Sequence, residues 1–181
     1  MSIAGMGPTW LAAFLTTNFL LNITPGPAVM QVVGHSIHNG WRPAQASILG
    51  ILTANGMYGM LAALGLGALI LALPQLFEAV KWVGVAYLAW LGVRALYHAC
   101  RSQPANTPTG ERARPVQLSR QSFLLQGANP KSVFFFCALL LAFAGSGDGG
   151  APARIVLLGL LALGLEYPVL LAYSLLAARA A

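Results

Sequence analysis

The most telling shortage in this sequence is of charge. Only 8% of its 181 residues are Asp, Glu, Lys or Arg, while 57% are hydrophobic. A soluble domain carries about 25% charged residues. So few charges cannot cover a water-facing surface, and the composition identifies an integral membrane protein whose solvent is the bilayer. Acids are scarcer than bases, four against ten, for a formal net charge of +6. That excess does not indicate nucleic acid, because the bases gather in one loop between apolar segments without interleaved aromatics. They read as topology determinants.

Cysteine is also scarce. Cys100 and Cys137 lie in different segments without C-x-x-C spacing, which indicates neither a disulfide framework nor a metal site. A thiol-relay carrier would need cysteines at the helix breaks, and a metal exporter a His-rich loop; both features are missing. Met1 to Pro8 carry no Lys or Arg, so the basic region of a signal peptide is absent. The first apolar segment is expected to stay in place as a membrane helix.

What is present is a series of apolar runs. A spanning helix needs about 20 mostly apolar residues, and runs of that length lie at about 10–37, 44–73, 77–97, 122–144 and 152–178. The expected fold is all-α, a polytopic transmembrane bundle of five visible spans. Residues 1–99 make a first three-helix repeat, 100–121 a basic loop, and 122–181 a second repeat with two spans. Gly50, Gly56, Gly59, Gly65 and Gly67 along the second span let helices approach closely. Lys81 and Trp82 fit an interfacial anchor. Arg42, Arg94, Arg101, Arg112, Arg114, Arg120 and Arg179 fall on one side, and only Lys81 and Arg154 on the other. This bias places the Arg-rich loop in the cytoplasm and the N-terminus outside.

The first span is interrupted by Thr24-Pro25-Gly26-Pro27. Each proline lacks an N–H and clashes with the preceding turn, so the helix cannot continue. At membrane depth such a break is either a packing kink or one wall of a transport site. A second interruption stands at Asn129-Pro130-Lys131. Phe19 to Gly26 can be laid over Phe123 to Pro130: both read F-L-L, then a carboxamide, then a helix-breaking proline. Three spans separate the copies, so they cross in opposite directions. Many secondary transporters share this inverted-repeat layout and hold substrate between paired broken helices.

Asn22-Ile23-Thr24-Pro25-Gly26-Pro27 resembles the N-x-T-P-G-P signature of the LysE/RhtB amino-acid exporters. Gly50-Ile51 with Asn55, Lys81 to Leu88 with Leu91-Gly92, and Asn129-Pro130-Lys131 resemble further blocks of that family, in order. The resemblance covers essentially the whole chain. It implies a transporter rather than an enzyme, exporting amino acids or close derivatives across the bacterial inner membrane. Protons are the implied coupling ion and lipid the surroundings; no cofactor and no nucleic acid are implied, and a homo-oligomer is compatible with it. There are two departures. Family members usually have six hydrophobic segments in two groups of three, and the last is missing here. That departure raises an alternative, a truncated or non-transporting membrane subunit that needs a partner helix. In addition, a second-helix position often acidic in the family is Asn55.

The candidate substrate-binding residues are Asn22, Thr24, Pro25, Gly26 and Pro27 at the first break, Asn55 and Gln126 as buried amides, and Asn129, Pro130 and Lys131 at the second. The break frees carbonyls before it and N–H groups after it, Gly26 admits a ligand to the backbone, and the helix end near Ala28 can receive a carboxylate. Lys131 has three readings: binding a carboxylate, pairing with Glu166, or snorkelling to the headgroups. Glu166 is the only acid well inside a span, which suits a proton-coupling group; a static pair with Lys131 is the bland alternative. It also falls where the family often has an acid. Glu166-Tyr167-Pro168 is expected to interrupt the fifth span, with a bend at Pro168 beside the acid. Asn18 shares a face with Asn22 at i, i+4 spacing. Tyr87 and Tyr173 read as packing or interface residues, and His35 and His38 as solvated. The scarcity of acids favours a neutral substrate.

Overall fold

The computed structural model describes residues 7–65, 113–144 and 151–180, together with Trp82 and Val93. The expected third span at 77–97, the far end of the second and most of the basic loop lie outside these residues. All regular structure among the described residues is helical.

Helix α1 (Pro8–Ile23) starts on a proline at its first turn, where a missing N–H costs no helical bond. It stops at Thr24, and Gly26 continues the chain in extended conformation at φ −128° and ψ −175°. Helix α2 (Pro27–Asn39) then begins on the second proline of the break. Gly40 turns the chain at φ +86°, a left-handed conformation that favours glycine, and α3 (Trp41–Ala63) follows.

Helix α4 (Pro115–Gly127) starts seven residues before the expected Ser122. The polar composition of this stretch conceals a helix start: Pro115 opens it, Gln117 Oε1 accepts from the Arg114 N–H at 3.2 Å, and Leu118 is fully buried. The chain breaks again at Ala128 and Asn129. It resumes as α5 (Pro130–Phe134), widens into a π turn (Phe135–Leu139) and ends as α6 (Leu140–Ala144).

The last helix, α7 (Ala151–Ala180), corrects an expectation. Glu166-Tyr167-Pro168 does not interrupt it. Pro168 removes one backbone donor, and the neighbouring bonds carry the helix through the gap. Among the described residues two helices, Trp41–Ala63 and Pro152–Ala180, are long and apolar enough to cross a membrane.

Helix α3 occupies the centre, against α2, α4 and α7. Its approach to α4 depends on Gly50, where a Cβ would lie 2.2 Å from the Ser119 carbonyl oxygen. Gly50→Ala must push the helices apart and is expected to destabilise the fold by about 1–3 kcal/mol. Thermal unfolding in detergent checks this; an unchanged midpoint would mean that the helices part without cost.

Two apolar clusters divide the interior. One joins Phe14 of α1 to Phe135, Phe136, Leu140, Leu158 and Ala162. The other joins Val29 and Val32 of α2 to Ile48, Ile51 and Leu170. Leu20, Met30, Leu49, Met60, Leu160 and Leu176 point outward and are exposed, an apolar periphery suited to lipid contact. The first helix break falls between the two clusters along the chain, with Phe14 before it and Val29 and Val32 after it.

Candidate functional site

The first break leaves carbonyl groups at the end of α1 without helical donors, and the tertiary structure supplies partners. Thr24 closes locally: its N–H and its Oγ1 both donate to the Leu20 carbonyl, at 3.2 and 2.7 Å. Lys131 Nζ, on α5 just past the second break, donates to the Leu21 carbonyl and, at 3.1 Å, to that of Thr24. Tyr173 Oη on α7 donates to the Ile23 carbonyl at 2.7 Å. An ammonium group thus rests on the C-terminal end of a half-helix, where the helix dipole favours positive charge.

This geometry sharpens two expectations. Lys131 makes no direct salt bridge with Glu166 among the described residues; its ammonium ties one break to the other. Tyr173 packs against the Val29–Ile51 cluster, as expected, and its hydroxyl also bonds the first break.

A relay of side-chain amides starts from the second break. Asn129 Oδ1 accepts from the Lys131 backbone N–H at 3.1 Å, capping α5. Asn129 Nδ2 donates to Gln126 Oε1 at 3.0 Å, Gln126 Nε2 to Asn55 Oδ1 at 3.0 Å, and Asn55 Nδ2 to Glu166 Oε2 at 2.7 Å. Every donor points the same way, toward the carboxylate. Asn55, Gln126 and Asn129 are all buried. Bonds in such a chain polarise one another, so a change of charge at Glu166 is felt along it.

Lys131 and this relay border one cavity, of about 50 Å³, large enough to admit water at roughly 10–15 Å³ apiece. Of the residues singled out from the sequence, Asn22, Gly26, Asn55, Gln126, Asn129, Lys131 and Glu166 line it. Thr24, Pro25, Pro27 and Pro130 do not. The prolines shape the chain, and Thr24 contributes its carbonyl to Lys131. Asn18, Ser132, Phe135, Phe136 and Ala162 also line the cavity. Asn18 was legible from its i, i+4 spacing to Asn22; the two phenylalanines were not. They come from the π turn, whose extra residue per turn shifts the helix face.

The two breaks differ in one respect. The N-terminus of α5 is capped by Asn129, whereas that of α2 has no side-chain cap, and Gly26, Ala28 and Val29 face the cavity there. A half-helix N-terminus with unsatisfied N–H groups attracts anions. The site therefore offers an anion-binding end, a carboxylate and a run of neutral amides, lying between two apolar clusters.

Elsewhere, His35 is half-buried and its Nδ1 is 2.6 Å from Ser47 Oγ, linking α2 to α3 rather than standing in solvent. His38 is exposed.

The family model described as LysE type translocator matches residues 19–181. The homoserine/homoserine lactone efflux protein of Salmonella typhimurium is 33% identical over 172 residues, which cover 95% of this chain and 82% of the relative. An uncharacterized membrane protein of Vibrio cholerae is 29% identical over 170 residues, 94% of this chain and 81% of the relative. The leucine efflux protein of an Enterobacter species is 27% identical over 134 residues, 69% of this chain and 59% of the relative. No solved structure matches at significance. These likenesses lend no support to the alternative of a non-transporting subunit.

Proposed function

The chain belongs to the LysE type translocator family, and from that premise we propose that it exports small neutral amino acids or close derivatives across the bacterial inner membrane, in exchange for protons. The observation that carries this reading is the cavity itself: an uncapped helix end, a carboxylate and an amide relay held between two apolar clusters. An amino acid has matching ends. Its carboxylate goes to the N–H groups that open α2, and its ammonium to Glu166.

The exchange follows from that pairing. With the Arg-rich loop cytoplasmic and the N-terminus outside, the Val29–Ile51 cluster is the inner gate and the Phe14–Phe135 cluster the outer one. Ionised Glu166 receives the substrate's ammonium from the cytoplasm. After the site turns outward, a proton takes the carboxylate and the substrate leaves. The proton then returns inward with Glu166. Lys131 keeps the end of α1 tied to α5 throughout, so the two breaks move together. The names of the relatives support the substrate class, and the absence of a second acid among the described cavity residues supports neutral side chains.

The test is efflux from proteoliposomes under an imposed pH gradient, over a panel of neutral, basic and acidic amino acids. No gradient-dependent movement of any of them would sink the proposal. Gly26 supplies a specific probe. A Cβ there would meet Lys131 Cδ at 4.0 Å, an ordinary contact, so Gly26→Ala is expected to be tolerated. Gly26→Leu reaches further, into the cavity, and is expected to cut efflux more than about tenfold, about 1.4 kcal/mol, with membrane insertion intact. Wild-type efflux from Gly26→Leu would reduce the break to a structural kink.

A further inference from the structure

Asn18 sits on α1 one turn before Asn22, and it is only 2% exposed while facing the cavity. Its Oδ1 accepts from Asn22 Nδ2 at 2.6 Å, and its own Nδ2 has no hydrogen-bond partner among the described residues. Buried polar atoms in folded proteins are nearly always bonded, so an orphaned donor on a cavity wall points to what enters the cavity.

The neighbouring amides are spoken for. Asn55, Gln126 and Asn129 each donate to the next acceptor in the relay, and Lys131 Nζ donates to backbone carbonyls. Asn18 Nδ2 is left as the uncommitted buried amide donor of this wall, among the described residues. The inference rests on the proposed export reading, in which the two charged ends of an amino acid already have their places. What remains of the substrate is its side chain. Asn18 is one turn from Phe14, at the end of the cavity that Phe135, Phe136 and Ala162 close, so the space beside it suits a short group.

We propose that Asn18 is the specificity-determining residue, its Nδ2 donating a hydrogen bond to an oxygen in the substrate's short, uncharged side chain. An aliphatic side chain would leave the donor bare. A basic side chain would set one donor against another. An oxygen at this position completes the amide and distinguishes substrates of equal size, as sites built to bond a substrate hydroxyl do.

Homoserine and norvaline test this, since their side chains have the same number of heavy atoms and differ in a terminal hydroxyl or methyl. The full-length protein is measured in two ways: efflux from proteoliposomes, and ligand-induced stabilisation in detergent, which needs no transport. The wild type is expected to favour homoserine at least about tenfold in apparent affinity. Asn18→Leu is expected to bring the ratio to unity or reverse it, by losing homoserine rather than norvaline. Asn18→Ala removes the donor without adding bulk and serves if the leucine variant does not fold. An equal wild-type response to the two ligands, including none to either, overturns the assignment, as does an unchanged preference in the variants. Preference in detergent without gradient-driven efflux would support Asn18 and count against export. Gradient-driven efflux of other amino acids without any homoserine preference would do the reverse.

Discussion

Glu166→Gln is expected to abolish the pH-driven component of efflux while leaving movement down a substrate gradient measurable. Glutamine preserves the size of the side chain, and its carbonyl can still accept from Asn55 Nδ2, now 2.7 Å from Glu166 Oε2. The amide relay therefore survives. What disappears is the group that takes and returns a proton, together with the counter-charge for a substrate ammonium. Hydrogen bonds to charged groups contribute about 1.5–3 kcal/mol, which corresponds to a tenfold to hundredfold loss of apparent affinity. Efflux at saturating substrate, with and without an imposed gradient, separates the two effects. An unchanged unfolding midpoint is the control for an intact fold. A glutamine variant that still responds to the gradient would move the proton to another group.

Lys131→Met acts at the other end of the relay, and its expected signature is different. Methionine nearly matches the length of lysine but donates nothing, so the carbonyls of Leu21 and Thr24 lose their partner. The Thr24 carbonyl is exposed and water can replace its partner, but the Leu21 carbonyl is part-buried, and a bare acceptor there costs about 1–3 kcal/mol. The midpoint of thermal unfolding is therefore expected to fall by several degrees, and transport to be lost with it because the first break is no longer tied to α5. Glu166→Gln removes coupling from a stable protein, whereas Lys131→Met removes stability and transport together. A methionine variant with wild-type melting and efflux would mean that the lysine bonds do not hold the break.

Both predictions depend on contacts that sequence periodicity does not carry. The positions of the breaks were legible, because proline geometry is local: Thr24 to Pro27 and Asn129-Pro130 end a helix wherever they occur. The matched places of Asn22 and Gln126 were legible from the repeat. The start of α4 at Pro115 was not, because its polar face reads as loop until Ser119 is seen against Gly50. The continuity of α7 is hidden from the sequence for a related reason. A single proline removes one bond, and the long apolar stretches on either side hold the helix together.

The site divides in the same way. Composition places Glu166 in an apolar segment, which makes it a functional candidate. It did not show that Asn55, where the family often has an acid, would bond that carboxylate from another helix. The π turn that brings Phe135 and Phe136 to the cavity has no proline or glycine to announce it.

By itself, then, the sequence determined the solvent, the helical class, the two breaks and the chemical groups near them, since each follows from composition or from the covalent geometry of a few adjacent residues. The tertiary structure alone decided the pairing. Lys131 meets carbonyls 107 and 110 residues away, Tyr173 one 150 residues away, and Glu166 an amide 111 residues away, while Asn18, among the described residues, bonds only Asn22 on its own helix. A sequence specifies how many donors and acceptors a chain carries. Which of them meet, and which is left facing a cavity, depends on how the helices pack around the broken one.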